Sequence, residues 1–350
     1  MREHRLLVGS ADASEAPQRL RAPRRPSDLP HVSRMTARRV QITLGVLWLL
    51  DGLLQFQSFM YTHAFVRDVL AVNASGQPGP LATSINALAG FYGRDLPLWN
   101  TLVAELQCAI GLGLIVSPRS VRPALAASIL WCLVVWLVGE GLGGILTSAP
   151  LSPLMGAPGA ALIYGLVGLL VWPSRERGAA ARAGDLIWAG LWLEGAVLWL
   201  TGAQGSPSAQ LQAMAASAPA PLAGFDRALA AALHGAGGTA APALAALSVL
   251  IGLGALTRRR RMALLAGSLL ALTYWVFGQS LGGPFWAGAS TDVNTGPLFV
   301  LLAAYLFVPL PLPQSLAAGA RGRGLGGATV ASRRWRARPS PPDETGTRLG

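Results

Sequence analysis

Four carboxylic acids stand inside long apolar runs of the chain: Asp51, Glu105, Glu140 and Glu194. A charged side chain at the centre of a bilayer costs about 2.5–3.5 kcal/mol on insertion scales, so such acids face a cavity, a partner or a proton donor. The chemistry open to them is proton exchange, cation binding or hydrogen bonding to a polar ligand. Gln55 lies one turn beyond Asp51 on the same helical face. Trp136 lies one turn before Glu140, as Trp275 does before Gln279. Asp51, Gln55, Glu105, Trp136, Glu140, Glu194 and Gln279 are therefore the candidate binding or proton-coupling residues. The competing reading of each acid is a protonated packing contact between helices. Gly139, Gly143 and Gly144, like Gly278, Gly282 and Gly283, read first as sites of close helix approach.

Other chemistries find little support. All the basic residues in the 28 Lys+Arg count are arginines, which excludes Schiff-base lysine chemistry and a Walker A lysine. H-E-x-x-H, C-x-x-C and the Walker A phosphate loop are absent. His63 and His234 are too scattered to suggest a metal site. Cys108 and Cys132 sit in apolar runs and read as small buried hydrophobes, not a disulfide. No catalytic residue is assigned, and the reading leans away from an enzyme.

The elements that must position these acids are membrane helices. Of 350 residues, 52% are hydrophobic and only 13% charged, against about 25% in soluble domains. Mean hydropathy is +0.45. Eight apolar stretches, near 40–60, 98–117, 122–146, 157–172, 185–202, 240–257, 262–283 and 295–312, approach the roughly 20 residues that span a bilayer. If the N-terminus is cytoplasmic, alternation places 25 arginines inside and three outside: Arg67, Arg94 and Arg227. The expected fold is an all-α polytopic transmembrane bundle in a plasma membrane, here a bacterial inner membrane, with both termini cytoplasmic. The lipid bilayer is its partner. The basic tail, including Arg333 to Arg336, suits anionic lipid headgroups and not nucleic acid. The long outer segments 61–97 and 203–239 form either short amphipathic helices over the outer mouth or plain connections.

The spans fall into two matching sets. W-L-V-G-E-G-L-G-G from Trp136 to Gly144 parallels W-V-F-G-Q-S-L-G-G from Trp275 to Gly283, and Pro158 and Pro297 share the same offset. I-G-L-G at Ile110 to Gly113 recurs at Ile251 to Gly254, and Asp51-Gly52 corresponds to Glu194-Gly195. Each set has an even number of spans, so the repeats are parallel. The expected organisation is a disordered basic leader over 1–38, a four-helix repeat over 39–173, a linker over 174–184, a second repeat over 185–312 and a disordered basic tail over 313–350. Met35 offers an alternative start. The first repeat is the more acidic, since Gln279 replaces Glu140 and Ala246 replaces Glu105, so a single working site belongs there.

Arg39, Leu44-Gly45 and Gly52, followed by Glu105, Gly111 and Gly113 before a basic turn, resemble the DoxX/DoxD-like family of four-helix membrane proteins. The resemblance implies a membrane subunit of a quinone-linked redox assembly, with quinone as cofactor and a membrane or redox protein as partner. The residues alone leave two alternatives open. One is a proton- or cation-coupled secondary transporter. The other is a membrane enzyme acting on a lipid or external substrate.

Overall fold

Apolar runs without an internal breaker fold into helices, and a computed structural model shows this chain to be all-helical in the residues it describes. These are 29–147, 152–173, 177–201, 205–283 and 288–307. The tail and most of the leader lie outside the described residues.

Each of the eight apolar stretches carries a principal helix. The first four are α1 (Leu29–Leu54), α4 (Leu96–Val116), α5 (Val121–Val134) and α6 (Ala160–Leu170). The last four are α7 (Arg177–Thr201), α10 (Ala240–Gly254), α11 (Arg260–Phe277) and α12 (Thr295–Leu306). Among the described residues, four helical segments are long and apolar enough to cross a membrane: Leu96–Val116, Val121–Gly139, Ala180–Thr201 and Gly237–Gly254. Between them lie the one-turn α2 (His63–Phe65), α3 (Gly79–Tyr92), α8 (Pro207–Ser217) and α9 (Ala220–Gly235), so the two long outer segments are helical.

The leader expectation needs correction. Helix α1 begins at Leu29, ten residues before the expected boundary, because Pro30 is tolerated in a first helical turn and no breaker follows before Leu54. Likewise α7 begins at Arg177, inside the expected linker.

Small residues set the helix spacing. Added Cβ atoms at Gly45 and Gly111 would lie 2.8 and 2.7 Å from the other glycine's carbonyl oxygen. Only glycine permits α1 and α4 to approach so closely. Gly252 of α10 packs in the same manner on the Ala189 carbonyl and Leu193 of α7. Helices α6 and α12 pack on each other between the two groups of four, and both are rich in buried side chains. At one end of the bundle Arg38 donates to the Leu114 and Ile115 carbonyls, both at 2.6 Å, and so satisfies the end of α4. Arg260 pairs with Asp185 at the same end. The candidate site lies at the opposite end.

The two W-x-x-G-x-x-L-G-G stretches do not run on as helix to Gly144 and Gly283, although their apolarity suggested it. After α5 a π turn, Val135–Gly139, ends in a left-handed turn in which Gly141, Leu142, Gly143 and Gly144 all have positive φ. Ser280 to Gly283 repeat this geometry after α11. Gly143, Gly144, Gly282 and Gly283 therefore serve the turn, whereas Gly278 keeps a right-handed helical backbone and lies against Leu154. A Cβ at Gly143 would meet the Pro158 carbonyl oxygen, and one at Gly282 would lie 2.6 Å from that of Val293.

Candidate functional site

These turns anchor two segments that cross between the helix groups. Trp136 donates from Nε1 to the Pro158 carbonyl at 2.9 Å, and Trp275 donates to the Val293 carbonyl at 2.8 Å. The segment before α6 reaches the second group. Pro153 sits against Gly195 of α7, and Leu154 covers Gly278. Gln279 donates to the Pro153 carbonyl, and Ser152 hydrogen-bonds Gln210 of α8. The segment before α12 reaches the first group in turn. Gln57 holds the Ser290 carbonyl at 2.9 Å, and Asp292 is delivered between α1 and α6. The two segments meet where Gly156 faces the Asn294 side chain.

Asp292 thus joins Asp51 and Glu140 at one cavity of about 330 Å³ in the first group. The walls come from the far ends of α1, α4 and α5 and from the start of α6. Helix α3 and the π turn Val66–Leu70 close over it. The lining is mostly apolar and aromatic, with Trp48, Trp99, Trp131 and Tyr164 among its rings. Leu88, Phe91 and Val134 both line it and are more than a third exposed, so it opens to the outside of the bundle between α3 and α5. Toward the arginine-bearing end, fully buried Leu44, Leu114 and Leu125 fill the interior below it.

Each acid is held differently. Asp51 is 2% exposed, and its Oδ1 has no hydrogen-bond partner. The Tyr164 hydroxyl lies beside it, also buried without a partner in hydrogen-bond geometry. Glu140 follows the π turn, which carries its carboxylate to the N-terminus of α6. There Oε1 accepts from the Ala161 amide at 3.0 Å, a cap that the helix dipole favours. Its Oε2 is buried without a partner, in the space that a Cβ at Gly159 would occupy. Asp292 accepts from the Thr291 hydroxyl at 2.8 Å and from the Asn294 amide at 2.6 Å. Burial nevertheless pushes its carboxyl above the ordinary carboxylate range, because those two bonds offset only part of the lost hydration. Among the described residues, no Arg or His lines the cavity.

Gln55 also lines the cavity, and its carbonyl accepts from the buried Asn100 amide at 2.6 Å. The Tyr92 hydroxyl donates to Asn100 in turn, which fixes α3 over the end of α1. Trp136 positions the Pro158 segment and does not line the cavity. Glu105 is exposed on the flank of α4, one side of the helix away from buried Ala104 and Gln107. Glu194 has two buried oxygens without partners but lies on α7, outside the cavity. Gln279 bonds the Thr295 hydroxyl side chain to side chain at the start of α12, whose backbone is capped by Asn294 instead.

Asp292, Tyr164 and Gln107 were not among the sequence candidates. The available signal was modest: Asp292 is the one charged residue between Gly283 and Thr295, two positions before an Asn at a helix start. No family model, no curated protein and no solved structure matches the chain.

Proposed function

We propose that this is an eight-span membrane protein that holds a lipophilic small molecule with a polar head in the outer half of the bilayer. Both termini are cytoplasmic on this reading, which rests on the arginine alternation. The observation that carries it is the meeting of Asp51, Glu140 and Asp292, from three separate elements, at one otherwise apolar cavity that opens sideways. Cavities of roughly 300–1,000 Å³ with a few convergent polar groups are the usual form of small-molecule sites. The filled interior between the cavity and the arginine-bearing end favours holding and presenting a ligand over carrying it through. That arrangement suits the membrane-subunit reading better than the transporter or enzyme readings.

The same proposal includes a duplication. The similar neighbours of Gly111 (Gly45 and Leu49) and Gly252 (Ala189 and Leu193) support it, and matching them in that register would set Asp51 against Gly195, one residue from Glu194. A shift of one residue turns Glu194 by about 100° from the Asp51 direction. Pro158 corresponds to Val293 by its bond to tryptophan, whereas Pro297 lies within α12.

Two experiments test this. A membrane-impermeant maleimide should label Ser75→Cys in intact cells and Arg119→Cys only after permeabilisation; the reverse pattern overturns the topology. Mass spectrometry of organic extracts from the purified protein should find a retained lipophile in wild type. It should be lost in Val103→Trp, which fills the cavity rim. Equal retention by both proteins would place the ligand elsewhere.

A further inference from the structure

Three carboxyl groups share this cavity, and no cationic side chain faces it. In a low-dielectric site such a set must be neutralised by protons or by a bound cation, since desolvated like charges repel strongly. Asp51 is almost wholly buried, with the Tyr164 hydroxyl and the Val293 backbone beside its carboxyl and no cation to balance its charge among the described residues, so a charged ligand group has an acid to meet. A bare metal ion is poorly served, because calcium or magnesium requires six or more oxygen ligands. Instead the remaining walls are aromatic, with Trp48, Trp131 and Tyr164 near the acids and Phe91, Tyr92 and Trp99 toward the opening. Carboxylates to neutralise a charge, with aromatic rings to replace its hydration, are the two means by which proteins bind ammonium groups.

We infer that the ligand is a lipophilic organic cation, an amine or quaternary ammonium, whose charged group sits among Asp51, Glu140 and Asp292 and whose apolar part lies along α4 and α5 toward the opening. This deepens the ligand-holding reading above and rests on it. A neutral quinone would fill the apolar volume but would leave the acids to be neutralised by protons alone. Protons compete with the cation for the same oxygens, so binding weakens as pH falls. Tyr164 on α6, Tyr92 on α3 and Cys132 on α5 are the other titratable groups near the acids, and all three are uncharged when protonated, so none reverses that direction.

The test is calorimetric titration of the full chain in nanodiscs with benzyltrimethylammonium and with its uncharged isostere neopentylbenzene, against empty nanodiscs. Wild type should prefer the cation by tenfold or more. Asp51→Asn and Asp292→Asn should each lose at least tenfold affinity for the cation and little for the isostere. Circular dichroism and size-exclusion profiles establish that the variants are folded. Glu105→Gln, outside the cavity, should leave both affinities unchanged. If wild type binds the isostere, or a short-chain quinone, as tightly as the cation, the cation inference fails and the ligand-holding reading stands. If it binds none of them, and Val103→Trp and wild type retain the same lipophiles, both fail.

Discussion

The two groups of four helices share their seams, their left-handed turns and their tryptophan anchors, yet differ at the place that matters. In the first group a cavity of about 330 Å³ remains, with Asp51 and Tyr164 in its wall; the corresponding space of the second is about 20 Å³, bordered by Gly195 and Phe299. The difference comes from what each crossing segment delivers. Segment 152–158 brings Pro153 and Leu154, which plug the second group, while segment 288–294 brings Asp292, which adds a polar group to the first. On the duplication proposed above, two similar helix groups hold one open space and one nearly closed one, set by the side chains of two short connections.

Breaking the plug should have the largest effect. Leu154 is 5% exposed, and Leu154→Ala should destabilise by about 2–5 kcal/mol, as buried leucine truncations do. It should also leave an apolar void against Gly278, read as a fall in the thermal midpoint in detergent. Gly143→Ala should follow at about 2–4 kcal/mol, combining a left-handed backbone position with a collision at the Pro158 carbonyl. Its measure is a fall in the thermal midpoint in detergent. Asp292→Asn is expected to act through pH. Because burial raises the native carboxyl above its ordinary value of 3.8, the folded state holds the proton more firmly than the unfolded chain. The resulting stabilisation is complete below 3.8 and is lost as pH rises through the native value. Thermal midpoints of wild type should therefore fall across that window relative to those of Asp292→Asn, and parallel curves would remove Asp292 as their cause. Glu105→Gln should not destabilise and should leave ligand binding unchanged, since on the eight-span reading its exposed flank of α4 faces lipid, where a neutral side chain is tolerated better than a carboxylate.

Much of the scaffold was legible because apolar runs report helices directly. All eight stretches carry helices, whereas the seam at Gly45, Gly52 and Gly111 was not read from the sequence, where those glycines carried only a family resemblance. Helix ends were less legible: hydropathy continues through Leu142 and Leu281, whereas the backbone turns left-handed there. Asp51, Gln55 and Glu140 stood out by residue type inside apolar runs, and they do line one cavity. Glu105 could not be separated from them by type alone, because a burial pattern on one helix depends on which neighbour it meets. Asp292 was hidden for the opposite reason. Its role depends on a segment crossing into the other helix group, and nothing in the residues 284–294 announces that destination.

The central claim is that acids from both helix groups serve one ligand site in the first. Photolabelling with an azide-bearing benzyltrimethylammonium, followed by peptide mass spectrometry, tests it most directly. The expected labels fall on α1 near Trp48 to Gln55, on α5 near Trp131 to Val138 and on the peptide bearing Asp292, and they are lost in Asp51→Asn. Labels on α7 or α11, or labelling unchanged by Asp51→Asn, would contradict it.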